Sequence, residues 1–182
     1  MSFPAPDTTP MQDWERRLWT RHDGAWTSHY TIYDADQKIV DQYHARNDMV
    51  SDFATGRYFQ RNLYRRGSEV EARRFKAHFQ GRSLIFEGGT LLEGHAHAVD
   101  SNLVLLRFQY LDKPFEVVET INLLGDESRA RTMQQAENGV LKRVTAVFGE
   151  TRILAEPGVD VEGNDLYPIT EEWWHEQFPQ LG

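Results

Sequence analysis

Residues 90–111 read TLLEGHAHAVDSNLVLLRFQYL, and this stretch decides the fold. It contains two segments rich in strand-forming residues, Thr90–Val99 and Leu103–Leu111, separated by Asp100, Ser101 and Asn102. Side chains alternate between two faces along a strand, and Asp, Ser and Asn tolerate the backbone of a tight turn. The stretch therefore predicts two antiparallel strands joined by a short turn.

The same pattern extends along most of the chain. Ten strands are predicted, near Ala25–Tyr33, Lys38–Arg46, Phe53–Arg65, Glu69–Phe79, Ser83–Phe86, Thr90–Val99, Leu103–Leu111, Phe115–Leu124, Arg129–Gln135 and Val140–Phe148. No helical segment lies between them to make parallel crossovers, so most connections should be hairpins. Closure of the sheet removes its edges most completely. The sequence thus predicts an all-β fold, an antiparallel up-and-down β-barrel.

A short helix is expected on each side of the barrel. Thr9 is predicted to cap the first helix, Pro10 to occupy its first position and Gly24 to end it. The segment Thr170–Phe178 has the pattern of a short capped helix with an apolar side. We expect this tail to dock on the barrel.

The composition is that of one water-soluble domain. The 182 residues have a net charge of −8 and are 40% hydrophobic, and none is Cys. Residues 1–9 are expected to be a flexible lead-in, and residues 10–182 a single β-barrel domain with a C-terminal tail. The absence of Cys excludes disulfides, thiol nucleophiles and Cys-ligated metals, and the acidic charge disfavours a general nucleic-acid binder. Without a long apolar run or an export signal, the expected location is cytoplasmic, away from membranes.

The third strand offers Tyr58, Asn62 and Tyr64 as candidate catalytic residues and Gln60 as a candidate for substrate binding. Tyr58, Gln60, Asn62 and Tyr64 share one face, while the other face carries Phe59 and Leu63 together with two arginines. If the Tyr/Gln/Asn/Tyr face lines the lumen, it offers hydroxyls and amides to an apolar or conjugated molecule with a few oxygens. If it faces water, it is a solvated exterior. Periodicity leaves both options open because both faces are mixed.

Two histidines form the second candidate site. His95 and His97 lie on one face of a strand, at a spacing from which both can reach one metal ion. With Gly89 before them, they resemble the first cupin motif, but Ser101 and Asn102 stand where the cupin Glu is expected. The alternative is that both are surface or hydrogen-bonded lumen histidines.

Further candidates come from charged residues in apolar strands. Arg107 and Gln109 share a face of Leu103–Leu111. An inward Arg107 would hold a ligand carboxylate or enolate, or would pair with a Glu of the next strand as a structural bridge. Arg129 and Arg131 also share a face, and we expect them to solubilise the exterior.

Aromatic residues complete the predicted ligand contacts. Trp26, Tyr30 and Tyr43 are assigned to substrate binding, and Trp26 is expected near the barrel floor. The tryptophans as a group are expected mainly to plug and staple a barrel end.

Several of these segments carry a resemblance. A short helix followed by Gly24-Ala25-Trp26 and a continuous meander resembles the calycin superfamily of lipocalin-like barrels. The segments Arg129–Arg131, Gly139–Leu141 and Gly149–Arg152 resemble the closing strands of the uncharacterised bacterial DUF3598 family, which is similar in architecture to phycobiliprotein lyases. The resemblance covers about residues 10–155. It implies a ligand cavity inside the barrel and leaves the ligand open.

These observations lead to one functional hypothesis with rivals. The barrel is expected to bind a hydrophobic or polyunsaturated small molecule, and to act without a cofactor as a cyclase or isomerase by holding that molecule in a reactive conformation. The alternatives are a non-catalytic carrier, a cupin-like metal-dependent enzyme using His95 and His97, and a packed barrel that serves as an interaction module. A homodimer is one expectation for the assembly.

Overall fold

The fold is seen in a computed structural model of the chain, which describes residues 5–88 and 91–179. The helices are α1 (Asp13–His22) and α2 (Glu171–Gln177). The strands are β1 (Gly24–Asp34), β2 (Ile39–Asp52), β3 (Arg57–Arg66), β4 (Glu69–Gln80), β5 (Ser83–Phe86), β6 (Leu91–Ala98), β7 (Leu103–Tyr110), β8 (Glu116–Leu123), β9 (Ser128–Glu137) and β10 (Val140–Leu154). Residues 1–4 of the expected lead-in, Gly89 of the cupin-like motif and Thr90 lie outside the described residues.

The strands form a closed antiparallel barrel, which confirms the predicted fold. Each strand pairs with the next along the chain, and β1 also pairs with β10. Every strand therefore has a paired neighbour on each side, although the short β5 pairs with β4 only from Ala77 to Gln80. Neither helix in the described part of the chain is long and apolar enough to cross a membrane.

The first helix begins later than predicted. Its N-cap is Gln12, whose backbone N–H donates to Oε2 of Glu15 at 2.7 Å. The predicted cap at Thr9 is wrong, because the backbone and hydroxyl of Thr9 both donate to Oδ1 of Asp7 instead. The backbone N–H of Asp7 donates to Oγ of Ser83 at 2.9 Å. This hydrogen bond attaches the segment before the helix to the barrel.

Helix α1 covers the lower end of the barrel. Its buried Leu18 and Trp19 pack into the same core as Trp26, Met49 and Tyr58. The indole N–H of Trp26 donates to a backbone carbonyl oxygen of α1 at 3.0 Å. This places Trp26 at the barrel floor, as the sequence predicted.

The third strand begins at Arg57, four residues after its predicted start at Phe53. The carboxylate of Asp52 accepts hydrogen bonds from the backbone N–H groups of Ala54 and Thr55, which turns the chain before the strand begins. An Asp side chain of this kind replaces ladder hydrogen bonds with local ones.

The C-terminal tail docks on the outer wall of the barrel. Thr170 caps α2 by accepting from the backbone N–H of Trp173 at 3.3 Å, as predicted. Trp174 and Phe178 pack on Leu63 of β3. These tail tryptophans therefore cover the barrel wall, and the expectation that they plug a barrel end is wrong.

A buried ion cluster fixes this tail. Asp48 is fully buried on the outer face of β2, where it accepts from Arg46 at 2.8 Å and from Arg61 at 2.7 Å. The backbone N–H of Gly158 donates to the same carboxylate at 2.8 Å. The tail thus satisfies charges that would otherwise lie exposed on the barrel wall.

A β-bulge in β10 changes which residues face the lumen. Val147 pairs with Arg131 and Glu150 with Arg129, so three steps along β10 match two steps along β9. Gly149 lies within this bulge and has a φ of 67°. Without the bulge, strict alternation would turn Glu150 outward, because it lies three residues after the inward-facing Val147.

We predict that Gly149→Ala destabilises the protein by about 1–2 kcal/mol, because an L-residue is strained at positive φ. An added Cβ would meet no atom within 4 Å, so the cost would come from the backbone alone. Chemical denaturation measures it. Gly125→Ala is the matched control, since φ there is not positive and the new Cβ is 3.9 Å from its nearest neighbour. Equal stability of the two variants would contradict the role given to Gly149.

Candidate ligand site in the barrel lumen

The face of β3 that carries the candidate catalytic residues points into the barrel. Gln60, Asn62 and Tyr64 line an internal cavity together with Leu106 and Phe108 of β7. Tyr58 lies deeper, in the core beneath α1. The inward alternative from the sequence is therefore the observed one.

These four side chains form a continuous hydrogen-bonded chain. The hydroxyl of Tyr58 donates to Oε1 of Gln60 at 2.9 Å, and Nε2 of Gln60 donates to Oδ1 of Asn62 at 2.8 Å. Nδ2 of Asn62 then donates to the hydroxyl oxygen of Tyr64 at 2.8 Å. All donors point the same way along the strand, so the hydroxyl proton of Tyr64 remains available at the end of the chain.

The lumen has two adjoining parts. The inner chamber has a volume of about 40 Å³, and its wall includes Gln60, Asn62, Phe108, Glu119 and Arg131. The vestibule above it opens at the barrel mouth and has a volume of about 360 Å³. Its wall includes Ile32, Arg66, Arg73, Lys113, Phe115 and Arg143. Tyr30, Tyr64, Tyr110 and Met133 belong to both walls.

A tyrosine layer, made of Tyr30, Tyr43 and Tyr64, separates the vestibule from the inner chamber. The rings of Tyr30 and Tyr43 stack with centroids 4.9 Å apart, and Tyr64 meets them edge-on at 5.8 and 5.4 Å. Burial raises the pKa of each of these phenols above its ordinary value. They are therefore neutral hydrogen-bonding groups near pH 7.

An ionic layer lies below the chamber and consists of Arg129, Arg131, Glu119 and Glu150, all buried. Arg129 donates to Glu150 from Nε at 2.6 Å and from Nη2 at 2.9 Å. Arg131 donates to Glu150 from Nε and Nη2 at 3.2 Å, and from Nη1 to Glu119 at 3.1 Å. The expectation that the two arginines lie on the exterior is wrong, because β9 turns both of them inward.

The two carboxylates of the ionic layer differ in their pKa. Burial favours the neutral acid in both, but Arg129 and Arg131 outweigh it at Glu150 and lower the pKa of that group. At Glu119 burial prevails over the attraction of Arg131, and the pKa is raised. Glu150 is thus the permanent anion that holds both guanidinium groups.

The vestibule carries basic side chains near aromatic rings. Arg66 pairs with Asp41 at 3.0 Å and Arg73 with Glu71 at 2.7 Å. Lys113 lies 5.3 Å from the centre of the Tyr110 ring, and Arg143 lies 5.8 Å from that of Phe115. Within residues 5–88 and 91–179, neither Lys113 nor Arg143 forms an ion pair. The wall therefore has two cations without a protein counter-ion.

Two other predicted ligand contacts lie on the outer face. Arg107 and Gln109 alternate with the buried Leu106, Phe108 and Tyr110 along β7. Because the apolar residues take the lumen side, Arg107 and Gln109 point away from it. Their assignment to substrate binding in the lumen is therefore wrong.

The two histidines also lie outside the lumen. His95 and His97 have their rings 6.4 Å apart and line a surface pocket with Asp7, Glu15 and Arg82. Burial lowers the pKa of both imidazoles. No set of three His, Asp or Glu side chains in the described part of the chain is placed to hold a metal ion. Among these residues, His95 and His97 thus have no third ligand of the kind that the cupin-like alternative requires.

Of the aromatic candidates, Tyr30 and Tyr43 belong to the tyrosine layer. Trp26 lies below the ionic layer, with the guanidinium of Arg129 4.0 Å from its ring centre and that of Arg152 at 4.6 Å. It therefore forms part of the floor rather than the chamber wall. The residues that sequence reasoning missed are Glu119 and Glu150 as partners of Arg129 and Arg131.

Known structures share this architecture. A DUF3598 family protein of unknown function from Nostoc punctiforme matches with a TM-score of 0.62 and 16% identity, over 80% of this chain and 50% of that one. This chain thus spans half the length of the Nostoc protein. An S-type phycobiliprotein lyase from Guillardia theta matches with a TM-score of 0.56 and 10% identity, over 78% of this chain and 98% of the other. No protein-family model and no curated protein matches the sequence. The likeness shows a shared calycin-like barrel fold.

We predict that Glu150→Gln destabilises the protein by about 3–5 kcal/mol, because two buried arginines lose their shared anion. Chemical denaturation near pH 7 provides the measurement. Glu127→Gln, at an exposed position next to β9, is the matched control and should change stability by less than about 0.5 kcal/mol. A Glu150→Gln variant as stable as this control would show that the ionic layer does not hold the barrel.

The stabilisation that Glu150 provides should also depend on pH. Since the folded pKa of Glu150 is lowered, its contribution is complete above the ordinary carboxyl pKa and is lost as the pH falls below it. The difference in stability between the native protein and Glu150→Gln should therefore shrink as the pH is lowered below about 4. A difference that grows in acid would contradict this assignment.

Proposed function

We propose that the barrel binds a small molecule with an apolar or polyunsaturated body and an anionic end. The observation that carries this proposal is the vestibule, where aromatic walls surround Lys113 and Arg143. Two cations without a protein counter-ion fit a carboxylate at the outer end of a ligand.

The volumes favour the vestibule for the body of the ligand. Ligand pockets have volumes of about 300–1,000 Å³. The vestibule, at about 360 Å³, falls in this range, whereas the inner chamber, at about 40 Å³, does not. A conjugated body above the tyrosine layer would contact aromatic faces and would leave its carboxylate near the mouth.

A bilin is one candidate of this class. The Guillardia neighbour is named a phycobiliprotein lyase, and bilins are conjugated molecules that carry carboxylates. The proposal does not require a bilin, because any conjugated carboxylic acid of suitable size has the same two features.

Retinoic acid and its methyl ester test the anionic end, since they differ only in the carboxylate. We expect the native protein to bind the acid about tenfold more tightly than the ester, as a charge-assisted contact at a partly exposed site allows. In Lys113→Gln/Arg143→Gln this preference should disappear. Quenching of Trp and Tyr fluorescence measures both affinities, and biliverdin is tested in parallel.

Lys142→Gln is the matched control, because Lys142 is exposed on the same strand as Arg143 but does not line the vestibule. It should keep the preference for the acid. Equal affinity of the native protein for acid and ester would contradict the proposed anionic end, and no binding of either probe or of biliverdin would contradict the function itself.

Catalysis is a second candidate, and the hydrogen-bonded chain on β3 favours it. Tyr58, Asn62 and Tyr64 would act together, since the chain directs the proton of Tyr64 toward a ligand oxygen. A cofactor-independent cyclase or isomerase needs such a donor, whereas a carrier needs only the contact.

We predict that Tyr64→Phe separates an isomerase from a carrier. An isomerase of all-trans-4-oxoretinoic acid, whose ring ketone lies opposite the carboxylate and can accept from Tyr64, would lose rate on the order of 10²-fold, while a carrier would lose roughly tenfold or less in affinity. Chromatography of the cis isomers measures turnover with no metal or cofactor added. A native protein that leaves the probe unchanged while binding it would support the carrier.

Asn62→Leu should behave differently from Tyr64→Phe. Asn62 accepts a hydrogen bond from Gln60 and donates one to Tyr64 inside the barrel. Its replacement removes a partner from each of these two half-buried groups, so we expect a loss of about 1–3 kcal/mol in chemical denaturation. Unchanged stability would mean that the chain is not formed in solution.

A further inference from the structure

The hydroxyl of Tyr30 is a buried polar group that the fold does not use. Tyr30 is only 2% exposed, and its hydroxyl has no hydrogen-bond partner in the described part of the chain. Burying an unpartnered hydroxyl destabilises a protein, and a Phe of the same shape would avoid that cost. The side chain forms part of the walls of both the chamber and the vestibule. Its hydroxyl is therefore placed to serve a ligand.

A second hydroxyl in the same wall also has a proton to give. Tyr64 accepts from Asn62 at 2.8 Å, and no group among residues 5–88 and 91–179 accepts the proton of Tyr64. The rings of Tyr30 and Tyr64 are 5.8 Å apart. Two phenols with uncommitted protons make this end of the chamber a donor site, which fits an acceptor atom on the ligand.

The charges of the wall select a neutral acceptor. Glu119 and Arg131 both line the inner chamber, and Arg131 binds Glu119 and Glu150. An anionic group would lie beside the Glu119 carboxylate, and a cationic group would lie beside Arg131. An uncharged oxygen avoids both repulsions and still accepts from the phenols.

The size of the chamber selects a small group. A volume of about 40 Å³ has room for roughly three water molecules or for a carbonyl group, because a water needs about 10–15 Å³ by this measure. A six-membered ring does not fit without movement of the wall.

Resting on the proposed function, we infer that the inner chamber is a subsite for a carbonyl oxygen at the inner end of the ligand, with the hydroxyl of Tyr30 as its donor. The ligand then has two polar ends: a neutral carbonyl in the chamber and an anion at the vestibule. The apolar body lies in the vestibule, and its inner end reaches the chamber beside Tyr30 and Tyr64, which line both spaces. This narrows the ligand class to oxo acids with a long apolar or conjugated body.

Two acids that differ at the inner end test this subsite, namely 11-oxododecanoic acid and dodecanoic acid. We expect the native protein to bind the oxo acid about three- to tenfold more tightly, as one additional neutral hydrogen bond allows. In Tyr30→Phe the two acids should bind equally. Tyr33→Phe removes a hydroxyl from the outer face of the same strand and should keep the preference. Isothermal titration calorimetry measures all three proteins.

Thermal unfolding of the ligand-free proteins gives a second test. If the Tyr30 hydroxyl had a structural role, its removal would lower the unfolding midpoint. The midpoint of Tyr30→Phe should equal or exceed that of the native protein, because the variant loses only an unpartnered hydroxyl. A lower midpoint would mean that the hydroxyl has a partner in the free protein, and would overturn the inference.

The outcomes separate this inference from the function on which it rests. If both acids bind the native protein equally, or if Tyr30→Phe keeps the preference, the carbonyl subsite is overturned while binding in the vestibule stands. That result also covers a chamber that holds only water. If neither acid binds, the proposed function fails and the subsite fails with it.

Discussion

The attraction between one buried carboxylate, Glu150, and two buried guanidinium groups organises the lumen. Glu150 takes hydrogen bonds from Arg129, Arg131 and Asn47, so strands β10, β9 and β2 are joined across the interior. Charges removed from water need partners with good geometry, and here several strands must keep their register to provide it. The bulge at Gly149 turns Glu150 toward the lumen and so allows it to bind these partners.

The ionic layer also divides the interior into regions of different character. Below it, Trp26, Leu18 and Met49 fill the floor with tightly packed apolar groups. Above it, hydroxyls and amides share the wall with aromatic rings, and the packing is incomplete. The lumen therefore opens at the mouth, since α1 and the packed floor occupy the other end.

Alternation along the strands was sufficient to predict the barrel, because turn residues punctuate it regularly and no helix interrupts it. It did not decide which face of β3 points inward. The reason is that the outer face is covered as well: Phe59 and Leu63 lie under the tail, so apolar residues occur on both faces. Residues that are buried by a segment far away in the sequence cannot be recognised from the alternation of side chains along one strand.

The location of Arg129 and Arg131 was missed for a related reason. Their partner Glu150 reaches the lumen only because β10 has one additional residue at the bulge, and a strict period of two places it outside. A pair of same-face arginines matched in number by carboxylates on the neighbouring strands was the signal present in the sequence. Alternation correctly placed the two histidines on one face of β6 and Arg107 on one face of β7. In both strands the apolar residues of the opposite face line the interior, so these polar side chains point outward.

Closure of the barrel between its first and last strands bears on how the chain acquires its structure. Ala25 pairs with Leu154, so one side of β1 has no neighbour until nearly all of the barrel sequence has left the ribosome. Contacts between such distant residues form slowly because a long loop must close first. During that interval β1 presents an open edge to other chains, and crowding or a truncated product would favour aggregation at this edge.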